Sequence, residues 1–140
     1  MKDLADLVGR VFISLIFFFE VYDTIGFWQS TKDTMTAYGI TWNQDLLIIC
    51  MLVFLILGSL MVLIGYYANI GSFFLLLYLV PFTLIVFSFW NDPIEYRRVN
   101  SLQFMRNLAI CGGLLLLIAN GGAAKYSIKR MLHVLRVPAS

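Results

Sequence analysis

The sequence predicts an all-α membrane protein: a four-transmembrane-helix bundle with an interfacial outer loop and a C-terminal amphipathic cytoplasmic helix. Three observations lead there. Hydrophobic residues make up 61% of the 140 and charged residues 13%, with a mean hydropathy of +0.86. Soluble domains hold roughly half and a quarter, so the surplus apolar surface must face lipid. The apolar residues also gather into four runs, each close to the ~20 residues that cross a bilayer. The connections between runs are too short for an extramembrane domain, so residues 1–140 form a single membrane domain.

The first span covers residues 7–28. Lys2 and Arg10 followed by an apolar run resemble a signal peptide, but Glu20 and Asp23 stand where small residues and a cleavage site belong, and more spans follow. It is therefore expected to stay uncleaved. Residues 29–45 form a polar outer loop whose Met35, Tyr38, Ile40 and Trp42 suit the membrane interface. The second span is 46–65, and Asn69, Gly71 and Ser72 mark 66–72 as a tight connection. The third span, 73–90, has Pro81 near its middle, which frees the carbonyl of Leu77 and kinks the helix. Tyr78, Thr83 and Ser88 are its candidate lining groups. A second outer loop, 91–105, holds Asp92, Pro93, Glu95, Arg97 and Arg98, and the fourth span is 106–124.

In the tail, 125–140, Ile128, Met131, Leu132 and Leu135 share one helical face, while Lys125, Lys129, Arg130, His133 and Arg136 occupy the rest. That pattern fits a helix lying on anionic lipid. Six basic residues (Lys2, Arg10, Lys125, Lys129, Arg130, Arg136) fall on the side of the termini, and four (Lys32, Arg97, Arg98, Arg106) on the other. The excess places both termini in the cytoplasm and Trp28, Trp42 and Trp90 at the outer interface. A net charge of +2 is too small for nucleic-acid binding. The expected partners are membrane lipids and either other membrane subunits or further copies of the chain.

Glu20 and Asp23 are the most informative residues. A charge at the bilayer centre costs roughly 2.5–3.5 kcal/mol even on the lenient insertion scale. Spaced i, i+3, with Tyr22 between them, the two share a helix face that must point into protein or trapped water. One reading is a proton, cation or substrate-amine site closed by Arg97, Arg98 or Arg106. The other is an ion-paired clamp that fixes packing or docks a partner.

Other features read as structure. Gly58, Ser59, Gly65 and the pairs Gly112-Gly113 and Gly121-Gly122 let helices approach closely. Cys50 and Cys111 each lie about five residues into a span and reach similar depth, which allows a redox pair, although buried cysteines are usually inert. No metal spacing and no cofactor motif is present.

The block Gln103-Phe104-Met105-Arg106-Asn107-Leu108, running on to Cys111-Gly112-Gly113-Leu114, resembles the fourth-span signature of the DoxX family. Gly9-Arg10, Tyr38-Gly39-Ile40, Gly58, Gly65 and Trp90 fit the same pattern. The resemblance implies a four-helix bundle with cytoplasmic termini in a bacterial inner membrane. It also implies an association with thiosulfate:quinone oxidoreductase and with membrane-bound oxidative-stress complexes, which allows quinone as a cofactor although none is evident in the sequence. The chain departs from the pattern at ionisable positions: Leu55 stands where the family carries Glu, Phe87 where it carries His, and Glu20 and Asp23 where Gly and Lys are usual. These departures favour a non-catalytic subunit or scaffold of a larger membrane complex. A redox protein handling quinone or a sulfur compound is the alternative. A small proton-coupled or cation transporter comes third, because inverted repeats and broken half-helices are missing.

Overall fold

A computed structural model describes residues 2–120, so the amphipathic tail with Lys125, Lys129, Arg130 and Arg136, and the pair Gly121-Gly122, lie outside the described residues. The described residues form α1 (Lys2–Gly26), α2 (Trp28–Ala37), α3 (Gln44–Ile64), α4 (Ala68–Val86), a 3₁₀ turn (Phe89–Asn91) and α5 (Ile94–Ala119), with no strand among them. Three helical stretches, Gln44–Ile64, Ala68–Asn91 and Ile94–Ala119, are long and apolar enough to cross a membrane. The 25-residue α1 also has the length, but it carries Asp6, Arg10, Glu20 and Asp23.

Packing runs in the order α1–α3–α4–α5, while α1 and α5 meet only thinly. Phe17, Ile48, Leu55, Val62, Leu75, Leu79 and Leu114 are almost wholly buried in the core, while many other large apolar side chains, among them Phe12, Phe19, Leu77 and Leu116, are exposed. That distribution inverts the soluble pattern, as a lipid-facing surface requires. The α3–α4 crossing depends on two glycines. A Cβ on Gly71 would lie 2.8 Å from the Gly58 carbonyl oxygen and 2.7 Å from Met61 Cβ, and one on Gly58 would lie 2.9 Å from the Leu75 side chain. Small residues thus bring the backbones together. Buried Ser14 on α1 extends the seam by donating to the Ser59 carbonyl at 3.2 Å.

Arg10 is 1% exposed, and its Nε donates to Asp6 Oδ2 at 3.0 Å, one turn away. Arg10 and Asp6 thus pair one turn apart on α1, with the guanidinium held inside protein.

Three expected connections differ from the structure. The outer loop 29–45 contains the ten-residue helix α2, in which no residue is buried. Its Thr31, Thr34 and Thr36 hydroxyls each donate to the carbonyl four residues back, a use of hydroxyls that a polar, aperiodic stretch conceals. The connection expected at 66–72 shrinks to three residues. Gly65 caps α3 with φ +71°, Tyr67 has φ +55°, and α4 starts at Ala68. Gly71, which resembles a turn residue, is a packing residue instead. The second outer loop is mostly helix: Pro93 precedes α5, so Glu95, Arg97 and Arg98 lie on its first turns. Proline suits that place because its fixed φ is helical and the N–H it lacks would have no partner there.

Candidate functional site

Between α1, α2, α3 and α4 lies a cavity of about 630 Å³. Glu20, Asp23 and Thr24 reach it from the last turns of α1, and Thr31, Thr34 and Met35 from α2. Apolar side chains such as Met51 and Phe54 on α3, and Phe74 and Phe82 on α4, form most of the wall. Leu77 and Pro81 both line it, so the position where proline breaks the helical ladder borders the open space. The volume lies within the range of about 300–1,000 Å³ typical of small-molecule sites, as does an apolar wall with a few polar groups.

The main polar contact in the cavity joins α4 to α1. Tyr78 Oη donates to Glu20 Oε1 at 2.6 Å, and the Tyr78 ring stacks on Phe82 with centroids 5.4 Å apart. Glu20 is half-buried and Asp23 is exposed at the mouth, where its carboxylate has no hydrogen bond or ion pair among the described residues. Tyr22, between them in sequence, is 74% exposed and packs on Phe19 outside the cavity.

A network of polar contacts pins α2 over the opening. At one end Asp45 Oδ1 accepts from Trp28 Nε1 at 3.0 Å and pairs with Lys32 Nζ at 2.6 Å. At the other, Tyr38 Oη donates to the Val86 carbonyl at 2.8 Å. That carbonyl lies in the last turn of α4, where helices leave acceptors unfilled. Between these ends, Gln44 Nε2 donates to Thr36 Oγ1 and to the Ile40 carbonyl, both at 2.8 Å.

The three arginines expected near the acids lie on α5, which contributes nothing to the cavity wall. Arg97 Nη2 donates to the Asp92 carbonyl at 3.2 Å and Arg106 is exposed, while no ion pair joins Arg97, Arg98 or Arg106 to Glu20 or Asp23. The reason is packing order, because α4 stands between α5 and the acid-bearing face. The 103–113 block acts in assembly. Phe104 packs edge-on against Phe89 at 5.5 Å, and Asn107 Nδ2 donates to Thr83 Oγ1 at 3.0 Å. Gly113 faces Ile13 of α1, where a Cβ would stand 3.1 Å from Cδ1, whereas Gly112 borders open space. Cys50 is exposed on α3 and Cys111 is buried, both as free thiols. Of the lining groups expected in the third span only Tyr78 lines the cavity, since Thr83 on α4 accepts from Asn107 and Ser88, beyond α4, donates to the Ile85 carbonyl.

Thr24 and Tyr38 are legible in principle, yet neither is among the residues that the sequence marks as a site. Thr24 follows Glu20 by four positions and so shares its face. Tyr38 is a polar-tipped aromatic next to Gly39, whose φ of +81° ends the α2 segment. Among the described residues no group of three or more His, Cys, Asp or Glu side chains is arranged to hold a metal ion.

A family model described as DoxX matches residues 5–88, ending before the 103–113 block. The chain is 34% identical over 134 residues to the inner membrane protein YqjF of Escherichia coli (strain K12), covering 95% of each protein. It is 36% identical over 92 residues to the Surfeit locus protein 4 homolog of Schizosaccharomyces pombe, covering 64% of this chain and 29% of that protein. No solved structure matches.

Proposed function

On the premise that this chain belongs to the DoxX family of integral membrane proteins, we propose that it is a non-catalytic accessory subunit of a larger bacterial inner-membrane complex, and that it holds a lipophilic ligand beneath α2. One observation carries the ligand half: an apolar cavity of about 630 Å³ into which a hydrogen-bonded carboxylate projects. An acid kept in such surroundings for packing alone would be costly. The accessory half rests on lost family ionisables at Leu55 and Phe87, and on the exposed α1 and α5 flanks, which suit contact with other membrane helices.

In this reading α1 is the fourth span, with Arg10 and Asp6 paired inside the protein at its inner end. Both termini are cytoplasmic, and Lys125, Lys129, Arg130 and Arg136 rest on the inner lipid surface. The E. coli relative's name, an inner membrane protein, supports that location.

The test is native mass spectrometry of the full chain released from nanodiscs, followed by extraction of what it carries. A bound lipophilic molecule is expected, and it should be lost when Met51→Trp fills the cavity. Protein that stays bare under conditions preserving annular lipid would overturn the ligand half. Purification in mild detergent as a lone monomer would overturn the accessory half.

A second reading, a quinone-linked redox subunit, draws on the Tyr78–Glu20 pair. The cavity has room for a quinone ring, Tyr78 and Phe82 offer stacked aromatic faces beside it, and the pair would hold a proton near a ring oxygen. A bound quinone would supply two-electron chemistry that no residue here offers. Quinone in the extracted fraction would favour this reading, and its absence from protein carrying another ligand would end it.

A further inference from the structure

Among the described residues, the cavity contains two carboxylates and no counter-cation. Glu20 and Asp23 enter from one face of α1, three residues apart. Glu20 receives the Tyr78 hydroxyl, a neutral donor, at 2.6 Å, and Asp23 receives nothing from the described residues. The cations that could have neutralised them are engaged or placed elsewhere. Lys32 on α2 is 2.6 Å from Asp45 Oδ1 on the α3 side of the roof. Arg10 bonds Asp6 and lies more than two turns along α1 from Glu20. Arg97, Arg98 and Arg106 are on α5, which does not border the cavity.

A carboxylate in surroundings of low dielectric constant is stabilised chiefly by an opposite charge that can also hydrogen-bond. Apart from Thr24, Thr31, Thr34, Tyr38 and Tyr78, the rest of the wall is apolar, with Met51, Phe54 and Phe74 among its side chains. The complementary occupant has one compact cationic head with several N–H donors and a hydrocarbon or aryl body. An anionic amphiphile would place like charges together, and a neutral one would leave both carboxylates without a counter-charge.

Resting on the ligand-cavity reading above, we infer that the cavity selects a lipophilic primary amine, with its ammonium between Glu20 and Asp23 and its apolar body against α3 and α4. A primary ammonium brings three donors, enough for both carboxylates and the Thr24 hydroxyl. A volume of about 630 Å³ accommodates a molecule of drug-like size.

The experiment titrates two matched probes, octylammonium and 1-octanol, against the full chain by native mass spectrometry from the same detergent. Octylammonium is expected to bind at least about tenfold more tightly than octanol, a difference one desolvated charge pair readily supplies. Asp23→Asn and Glu20→Gln should each erase most of that preference by weakening octylammonium binding far more than octanol binding. Asp23 is exposed, so its variant is not expected to disturb folding, and Glu20→Gln retains an acceptor for Tyr78. If both probes bind equally and Met51→Trp blocks both, the ligand cavity stands and selection for an amine is overturned. If octylammonium is preferred but the preference survives both substitutions, the assignment to Glu20 and Asp23 is overturned. If neither probe binds, the inference falls together with the reading on which it rests.

Discussion

Tyr78 on α4 donates a 2.6 Å hydrogen bond to Glu20 on α1, joining two helices through residues 58 positions apart in the cavity wall. The bond satisfies a carboxylate oxygen that lipid could not and fixes the end of α1 that carries Asp23. Tyr78→Phe removes the donor and keeps the ring. A hydrogen bond to a charged group contributes about 1.5–3 kcal/mol, and the few measured between membrane helices are smaller, near 0.6 kcal/mol. The expected result is a lower unfolding midpoint in detergent for Tyr78→Phe. Glu20→Gln, which still accepts from Tyr78, should lose less. Equal midpoints for Tyr78→Phe and the parent protein would show that the bond contributes nothing.

Asp45 links the near end of α2 to α3 through the Trp28 N–H and the Lys32 ammonium. No residue of α2 is fully buried, and this helix keeps its place through polar contacts together with the partly buried Trp28 and Met35, which pack against the core. Asp45→Ala should leave the long helices intact and loosen α2 alone. Hydrogen exchange should quicken across 28–37 by roughly three- to tenfold, as expected for local opening of a weakly held element. It should stay unchanged across the 52–62 core of α3. Exchange accelerating equally in both segments would show that Asp45 supports the bundle and not the roof.

How much of this was legible beforehand depended on the kind of signal. The three long spans announced themselves through hydropathy, which depends on composition alone. The acid face of α1 followed from spacing alone, and both acids do reach one cavity. The neighbour of that face did not follow. The arginines on the outer side of a linear topology looked close to Glu20, but which helix packs against which depends on the whole set of apolar faces, and the structure puts α4 and its Tyr78 there. Gly71 reads as a turn residue in the sequence and packs against Gly58 in the structure, because glycine serves both turns and close packing. Only the position of Gly58 across the seam decides between them. The helix α2 is hard to see in the sequence because most of its contacts are hydroxyl-to-carbonyl bonds and end latches, and only Trp28 and Met35 pack inward.

The cysteines offer a direct check on the redox-pair expectation. Cys50 is exposed on the outer surface of α3, while Cys111 is buried with Leu114 and Leu117 in the core. A disulfide needs Cα atoms within about 7 Å and facing Cβ vectors. A thiol pointing to lipid and one pointing inward do not meet that requirement. Treating the detergent-solubilised chain with copper–phenanthroline should form no intramolecular crosslink. A small permeant maleimide should label Cys50 and spare Cys111 until the protein unfolds. An intramolecular disulfide that forms without loss of helicity would reverse this assignment.

The α3–α4 seam makes the sharpest stability prediction, because glycines in contrasting settings supply their own control. A methyl at Gly71 would press on the Gly58 carbonyl and on Met61 Cβ, both at under 3.0 Å, and neither can swing aside as a flexible side-chain tip could. The helices would have to separate, and overpacking of this kind costs about 1–3 kcal/mol. At Gly112 a methyl would meet nothing within 4 Å, and alanine is favoured over glycine inside helices by roughly 0.5–1 kcal/mol. Gly71→Ala should therefore lower the unfolding midpoint, and Gly112→Ala should leave it level or raise it. Separating α3 from α4 also moves Met51 and Phe54 away from Phe74, so Gly71→Ala should weaken retention of any cavity ligand, while Gly112→Ala should not. If both variants behave alike, close approach at Gly58 and Gly71 does not set the spacing of the bundle.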